Sequence, residues 1–267
     1  MATKFQSYLI KSGLSVNTIK SYEWTIKYFK KNYSNFNKSN LLKFKGFLVE
    51  RSKPQTTNLR VQAINKYLEF TNRKELKLKF VKIQQKNFLE NVISDADYKF
   101  LKTSLMHDNQ TKWYFIVWFL TATGARISEL LLIKVEHVFN GYLDLYSKGG
   151  KVRRIYIPKL LKEQAIKWLQ DINLSSGYVF LNRFQKKMTS RGISIQLKYF
   201  AKKYGLEPAV VHPHSFRHRF AKNFLSRYND IALLADLMGH ESIETTRIYL
   251  RRTACEQREI VDKVINW

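Results

Sequence analysis

A basic, polar interruption about a third of the way along this chain does most to limit how it can fold. Arg73-Lys74-Glu75-Leu76-Lys77-Leu78-Lys79-Phe80 leads through Gln84-Gln85-Lys86-Asn87 to Ser94, and we place a linker at 75–93. Two cores are therefore expected, and 267 residues at 45% hydrophobic content can supply them. Residues 1–74 read as four helices. Ser15 caps a run carrying Ile19, Tyr22, Ile26 and Phe29, and Thr56 or Thr57 opens 57–70 with Leu59, Ala63, Tyr67 and Phe70 on one side. Beyond the linker, Ser94-Asp95-Ala96-Asp97 reads as a capped helix start. Residues 94–253 are expected to be helical with a small antiparallel sheet from strands 142–146, 153–157 and 178–181. Gly205 ends one helix, Gly239 ends another by a left-handed turn, and Ser242 caps the short helix that follows. The fold class is mainly α with a small antiparallel β-sheet, in two domains.

Charge limits the partners. Lys and Arg number 47 against 21 Asp and Glu, a net +26, and such a field steers a protein to polyanions and supplies affinity through counterion release. The basic residues are spread along the whole chain and do not gather on one amphipathic helix, which favours DNA over a lipid surface. No RNA-module signature of alternating aromatics and glycines stands out. A single cysteine, Cys255, fits a reducing cytoplasm. No apolar run approaches the about 20 residues of a membrane span, so a soluble cytoplasmic protein is expected.

The chemistry-bearing residues lie in the second part. Tyr249 follows His240 by nine positions in Gly239-His240-Glu241-Ser242-Ile243-Glu244-Thr245-Thr246-Arg247-Ile248-Tyr249. A phenol titrates near about 10, so attack on phosphorus needs its proton removed and the phosphate charge neutralised. Arginine suits the second task, because its planar fork binds two non-bridging oxygens and never deprotonates. The candidates are Arg126, in Thr123-Gly124-Ala125-Arg126-Ile127-Ser128-Glu129-Leu130, and Arg217, in His214-Ser215-Phe216-Arg217-His218-Arg219. His214 and Arg217 share a helix face, and Pro213 fits the helix start. Lys148 lies in the turn Tyr146-Ser147-Lys148-Gly149-Gly150-Lys151 between the first two strands, with Lys151 as its alternative. Zinc is the alternative that His212, His214, His218 and His240 raise, but no Cys-x-x-Cys pair accompanies them, so no metal is expected. Glu129 reads as a structural tie for the helix after Arg126.

In order and approximate spacing these pieces resemble the tyrosine recombinase family, which includes the phage integrases and Xer-like proteins. The resemblance begins weakly at Gly13-Leu14-Ser15-Val16-Asn17-Thr18-Ile19-Lys20-Ser21-Tyr22 and is strong from Thr123 to Tyr249, where Arg126, Lys148, His214, Arg217, His240 and Tyr249 match family positions. It implies a helical core-site DNA-binding domain (1–74) and a mixed catalytic domain (94–253). Arg126 and Arg217 would clamp the scissile phosphate, His214 would give acid/base support, and Lys148 would protonate the departing 5′ oxygen. His240 would hydrogen-bond a phosphate oxygen, and Tyr249 would form a 3′-phosphotyrosyl bond, with no cofactor. Asn58 and Arg60 lie near the start of the helix that resembles the family's DNA-facing one; Lys151, His218 and Arg219 are further candidate DNA contacts. The amphipathic segment 254–267, with Ile260, Val261, Val264, Ile265 and Trp267, resembles a terminal helix that docks into a neighbouring protomer, linking four subunits around two duplexes; folding back in cis is the alternative. The expected function is site-specific recombination of double-stranded DNA, serving integration, excision, inversion or dimer resolution. The alternatives are strand cleavage of the type IB topoisomerase kind, without synapsis, and a DNA-binding regulator with an inactive site.

Overall fold

Short polar side chains set where most helices of the first unit begin. In the computed structural model, which describes residues 3–83, 91–146, 152–240, 242–250, 258 and 261–265, Thr3 caps α1 (Lys4–Lys11), Ser15 caps α2 (Val16–Asn32) and Asn37 caps α3 (Lys38–Arg51). Each side chain accepts a first-turn N–H that the helix cannot satisfy. α4 (Pro54–Phe70) starts earlier than expected from Thr56 or Thr57. Pro54 opens it with a pre-set φ, and Thr57 is buried within it, donating to the Leu48 carbonyl at 3.2 Å. Phe29 centres the core, with ring centroids of Tyr33, Phe36 and Phe44 at 4.9, 4.3 and 5.3 Å.

Two asparagines on α4 clasp the chain that follows. Asn65 exchanges bonds of 2.9 and 2.8 Å with the backbone of Leu78, and Asn58 does the same with Val81 at 2.9 and 2.8 Å. Residues 78–81, expected as linker, are thereby held by the first unit, and the chain divides between Gln85 and Lys86. Ile93, also placed in the linker, is buried in the core of the second unit, its N–H bonded to Ser215 Oγ at 2.8 Å.

The second unit is built on α6 (Thr111–Thr123). Phe115, Ile116, Val117, Phe119 and Leu120 are buried, with Trp118 between them partly so, and these positions run around the helix, so every face of it is covered. Around it lie α5 (Asp95–His107), capped by Ser94, then α7 (Ile127–Leu130), α8 (Val135–Asn140), α9 (Lys159–Asp171), α10 (Ser190–Lys203) and α11 (Pro213–Arg227), which packs on α6. α12 (Ile231–Met238) and α13 (Ile243–Arg247) follow, and a 3₁₀ turn, Ile248–Leu250, carries Tyr249. The sheet is one antiparallel hairpin, β1 (Tyr142–Tyr146) and β2 (Val152–Tyr156), in the register Tyr142↔Tyr156 to Tyr146↔Val152. The third expected strand, 178–181, does not form. Tyr178 bridges Lys134 and Leu181 bridges Lys187, each an isolated contact, while Asn182 accepts the N–H groups of Phe184 and Lys186 and turns the chain away from the sheet.

Gly124 ends α6 at φ 61°, and a Cβ there would run into the Phe220 ring of α11. Gly205 has a similar φ of 68° but open space around it. Gly205→Ala should therefore lose about 1–2 kcal/mol for the left-handed backbone alone, and Gly124→Ala a further ~1–3 kcal/mol for overpacking. Urea unfolding of both variants measures this; equal losses would mean that Phe220 moves aside at no cost.

Candidate active site

The end of α12 generates the site. Gly239 turns left-handed at φ 62°, and its N–H and that of His240 return to the carbonyls of Asp236 and Ala235, both at 3.0 Å. The next three carbonyls have no helical partner. Each receives a different arginine: Leu237 O from Arg153 Nε at 2.9 Å, Met238 O from Arg217 Nη2 at 2.6 Å, and Gly239 O from Arg126 Nη2 at 3.0 Å. Arg217 also donates to Gly124 O at 2.5 Å, so it joins the C-terminal ends of two helices, where the helix dipole favours a cation.

One carboxylate holds the three guanidinium groups together. Glu129 Oε1 accepts Arg126 Nη1 at 2.9 Å and Arg153 Nη1 at 2.7 Å; Oε2 accepts the Arg126 N–H at 2.7 Å and lies 4.0 Å from Arg217 Nη1. This is the structural role expected for Glu129, and Arg153 and Arg126 hold its carboxyl below the usual range although burial opposes them. Three cations face one anion, so positive charge is left over. Burial and the neighbouring arginines lower Arg217 to about 10, still protonated at neutral pH.

The same field acts on the histidines. His240 Nε2 lies 3.0 Å from Arg217 Nη2, and its Nδ1 lies 2.8 Å from Thr246 Oγ1. A guanidinium only donates, so Nε2 accepts and Nδ1 carries the hydrogen. Burial and then Arg217, Arg126 and Arg153 push His240 down to about 4. Tyr249 is 6% exposed, its ring stacked on His240 at 6.2 Å, and its hydroxyl lies 3.1 Å from His218 Nδ1. Burial raises the phenol, opposed by Arg217 and Arg126.

The structure thus brings together Arg126, Arg217, His240 and Tyr249. His214 sits one turn from His218 with ring centroids 6.4 Å apart; it is exposed and lines a cleft of about 650 Å³ with Lys198, Asn91 and His212. Lys148 and Lys151 lie outside the described residues. The expected DNA contacts are placed differently. Arg219 is 8% exposed, paired with Asp95 and laid over the Tyr98 ring at 4.4 Å. Asn58 is spent on Val81, and Arg60 on Ser21 and Thr25 beneath its stack on Trp24. His218 faces Tyr249, not the surface. These side chains have better partners inside the protein than solvent offers. Sequence reasoning missed Arg153, whose signal was its place two residues before buried Ile155 on β2, an arginine on the inward face.

Comparison with known proteins places the chain in a family. Residues 91–256 match the phage integrase family. The chain is 32% identical over 274 residues to tyrosine recombinase XerA of Pyrococcus furiosus, covering 97% of this chain and 92% of that one. A crystal structure of XerA recombinase covers 98% of this chain and 97% of its own at TM-score 0.56 and 23% identity. The integrase of transposon Tn1549, solved with circular intermediate DNA, covers 98% of both chains at TM-score 0.74 and 17% identity. These two structures share the fold.

Removing the charge at the centre of the cluster leaves buried arginines without their anion. Glu129→Gln should destabilise the second unit by about 3–5 kcal/mol, measured by urea unfolding at pH 7. A loss under about 1 kcal/mol would mean that the carbonyls of 237–239 suffice to hold the arginines.

Proposed function

This chain belongs to the phage integrase family of tyrosine recombinases, and from that premise we propose that it breaks and rejoins double-stranded DNA at specific sites with Tyr249 as nucleophile. It is a site-specific recombinase acting through a 3′-phosphotyrosyl intermediate, serving integration, excision, inversion or dimer resolution. The observation that carries the assignment of the nucleophile is a buried tyrosine hydroxyl set among Arg217, His218 and His240, beside the charge excess of Arg126 and Arg153.

In this reading the scissile phosphate enters the field of Arg126 and Arg217, which stabilise the charge that grows on its non-bridging oxygens. His240, with Nε2 fixed by Arg217 and Nδ1 by Thr246, orients the phosphate, and His214, exposed at the mouth, assists proton movement there. Lys148 protonates the 5′ oxygen as it leaves. The phosphotyrosyl bond conserves the energy of the broken phosphodiester, so a second 5′ hydroxyl can reseal the strand without ATP. The +26 charge supplies sequence-independent affinity. Cleavage without synapsis and a dead site are not favoured: the relative matched over 92% of its own length is named as a recombinase, and the closeness of Arg126 and Arg217, bonded to adjacent carbonyls, supports an intact site.

Tyr249→Phe should abolish the covalent protein–DNA adduct and leave DNA binding intact. Arg126→Lys or Arg217→Lys should lower cleavage by roughly 10²–10³ with little change in binding, because lysine keeps the charge and loses the fork. Adduct yield on a nicked site beside a gel shift measures both; parallel losses of binding and cleavage would make these arginines plain phosphate contacts.

Assembly as a tetramer on two duplexes, in the cytoplasm, completes the reading. Its support is the terminal segment, where 261–264 are helical and Val261, Val264 and Ile265 are 55%, 58% and 48% exposed; Ile260 and Trp267 lie outside the described residues. Among the described residues no helix is long and apolar enough to cross a membrane. Each apolar side chain buried in a neighbour contributes roughly 1.5–3 kcal/mol before ordering costs. Truncation before Ala254 should keep single-site binding and weaken two-site pairing and strand exchange. Full recombination by the truncated chain would remove the trans-docking proposal, and loss of monomer folding would favour packing in cis.

A further inference from the structure

We propose that His218 is the proton acceptor of the cleavage step, taking the Tyr249 hydroxyl proton on Nδ1. The proposal rests on the reading of Tyr249 as nucleophile. His218 Nδ1 lies 3.1 Å from the Tyr249 oxygen with ring centroids 5.4 Å apart. His214, one turn earlier on α11, is exposed, and its ring centroid is 6.4 Å from that of His218.

The direction of the hydrogen bond follows from its neighbours. His218 Nδ1 is the hydrogen-bond partner of the Tyr249 hydroxyl, and the nearby Arg217 guanidinium, which lowers the phenol against the effect of burial, has no acceptor to offer it. The phenol hydrogen is therefore directed to His218. That requires a neutral ring with its hydrogen on Nε2, and the surroundings keep the ring neutral. Facing His218 are His212 and His214 from the start of its own helix, Arg217 beside it in sequence, His240 from the turn after α12 and Tyr249 from the turn after α13. Burial first, then these groups, push the imidazole down to about 4. At neutral pH it is a free base. A base this weak gains strength when a phosphate offsets the charge of Arg126, Arg153 and Arg217, so proton acceptance is coupled to substrate entry.

The step balances without a co-reactant. The Tyr249 O–H bond breaks and its electron pair forms the bond to phosphorus. The P–O5′ bond breaks with its pair leaving on O5′, which takes a proton from a separate donor, Lys148 in the proposed function. The Tyr249 proton stays on His218 Nδ1 and returns to the phenolate when the incoming 5′ hydroxyl reseals the strand.

The test is single-turnover cleavage of a nicked substrate from pH 6 to 9.5 by wild type, His218→Ala, His218→Asn and Tyr249→Phe, with folding checked by thermal unfolding and single-site gel shift. At pH 7 both His218 variants should cleave about 10²-fold more slowly. Their rates should then climb about tenfold per pH unit, as hydroxide replaces the missing base, while wild type levels off. Asparagine keeps a hydrogen-bond acceptor but cannot take the proton, so it should be as slow as alanine and covers the case in which alanine fails to fold. A 5′-bridging phosphorothiolate, whose leaving group needs no proton, should leave the defect in place. The proposal is overturned by wild-type rates in either variant, by a defect that does not change with pH, or by its cure with the phosphorothiolate, which would move His218 to the leaving group. Adduct formation by Tyr249→Phe would overturn the nucleophile itself and this proposal with it; loss of the adduct in Tyr249→Phe with unimpaired His218 variants would overturn the acceptor alone.

Discussion

Three backbone carbonyls at the end of α12, each taken by a different arginine, are the interaction on which the rest of the site depends. A helix end presents its last carbonyls without partners, and the left-handed turn at Gly239 satisfies those of Ala235 and Asp236 but leaves Leu237, Met238 and Gly239. Arg153 comes to them from the hairpin, Arg217 from α11 and Arg126 from the start of α7. Three elements distant in sequence are thus fixed against one turn, and that turn leads directly into His240 and the segment that carries Tyr249. A Cβ on Gly239 would collide with the Arg153 side chain, so the close approach, as well as the φ, requires glycine there.

Geometry alone would scatter three cations, because like charges within a few ångströms repel strongly once water is excluded. Glu129 offsets this by accepting from Arg126 and Arg153 and lying near Arg217, yet one anion cannot neutralise three cations. Burial and then the remaining charge hold His240 and His218 neutral; that charge also raises the value of any anion that enters and opposes the effect of burial on the Tyr249 phenol. In the proposed reaction the arginines would do what a divalent metal does in other phosphoryl-transfer sites, supplying fixed positive charge where negative charge develops.

How much of this was legible depended on whether the signal was local. Ser15, Ser94, Ser242 and Gly239 act through bonds within a few residues and Pro213 through its own fixed φ, and each sits where the sequence placed it. The hairpin was legible for the same reason, as two apolar-rich runs on either side of the Gly149-Gly150 pair. Residues 178–181 have strand composition too, but their backbone partners are Lys134 and Ile133 on one side and Lys187 and Met188 on the other, which no local pattern encodes. Asn58 and Arg60 looked like surface groups. Their partners are a strap 23 residues downstream and a helix 35 to 39 residues upstream. Within the site, spacing and resemblance picked out Arg126, Arg217, His240 and Tyr249, whereas Arg153 and the contact of His218 with Tyr249 emerge only when α11, β2 and the 3₁₀ turn are packed.

The arrangement also joins stability to chemistry in one set of bonds. The side chains that would meet the phosphate are the ones that close the end of α12, so a change that frees an arginine for DNA also unpairs a carbonyl. An unpaired buried carbonyl costs about 1–3 kcal/mol. An arginine moved wholly onto the phosphate would forfeit that amount, whereas one that keeps its carbonyl and turns its other N–H groups to the phosphate forfeits nothing, and a guanidinium has five of them. In the proposed reaction the fork would therefore do two jobs at once: one edge fixes the turn at Gly239, and the other would meet the charge of the phosphate. Lysine, with its donors on a single nitrogen, could not hold both in a fixed plane, which is a physical reason for arginine at all three positions and for their gathering around the left-handed turn at Gly239.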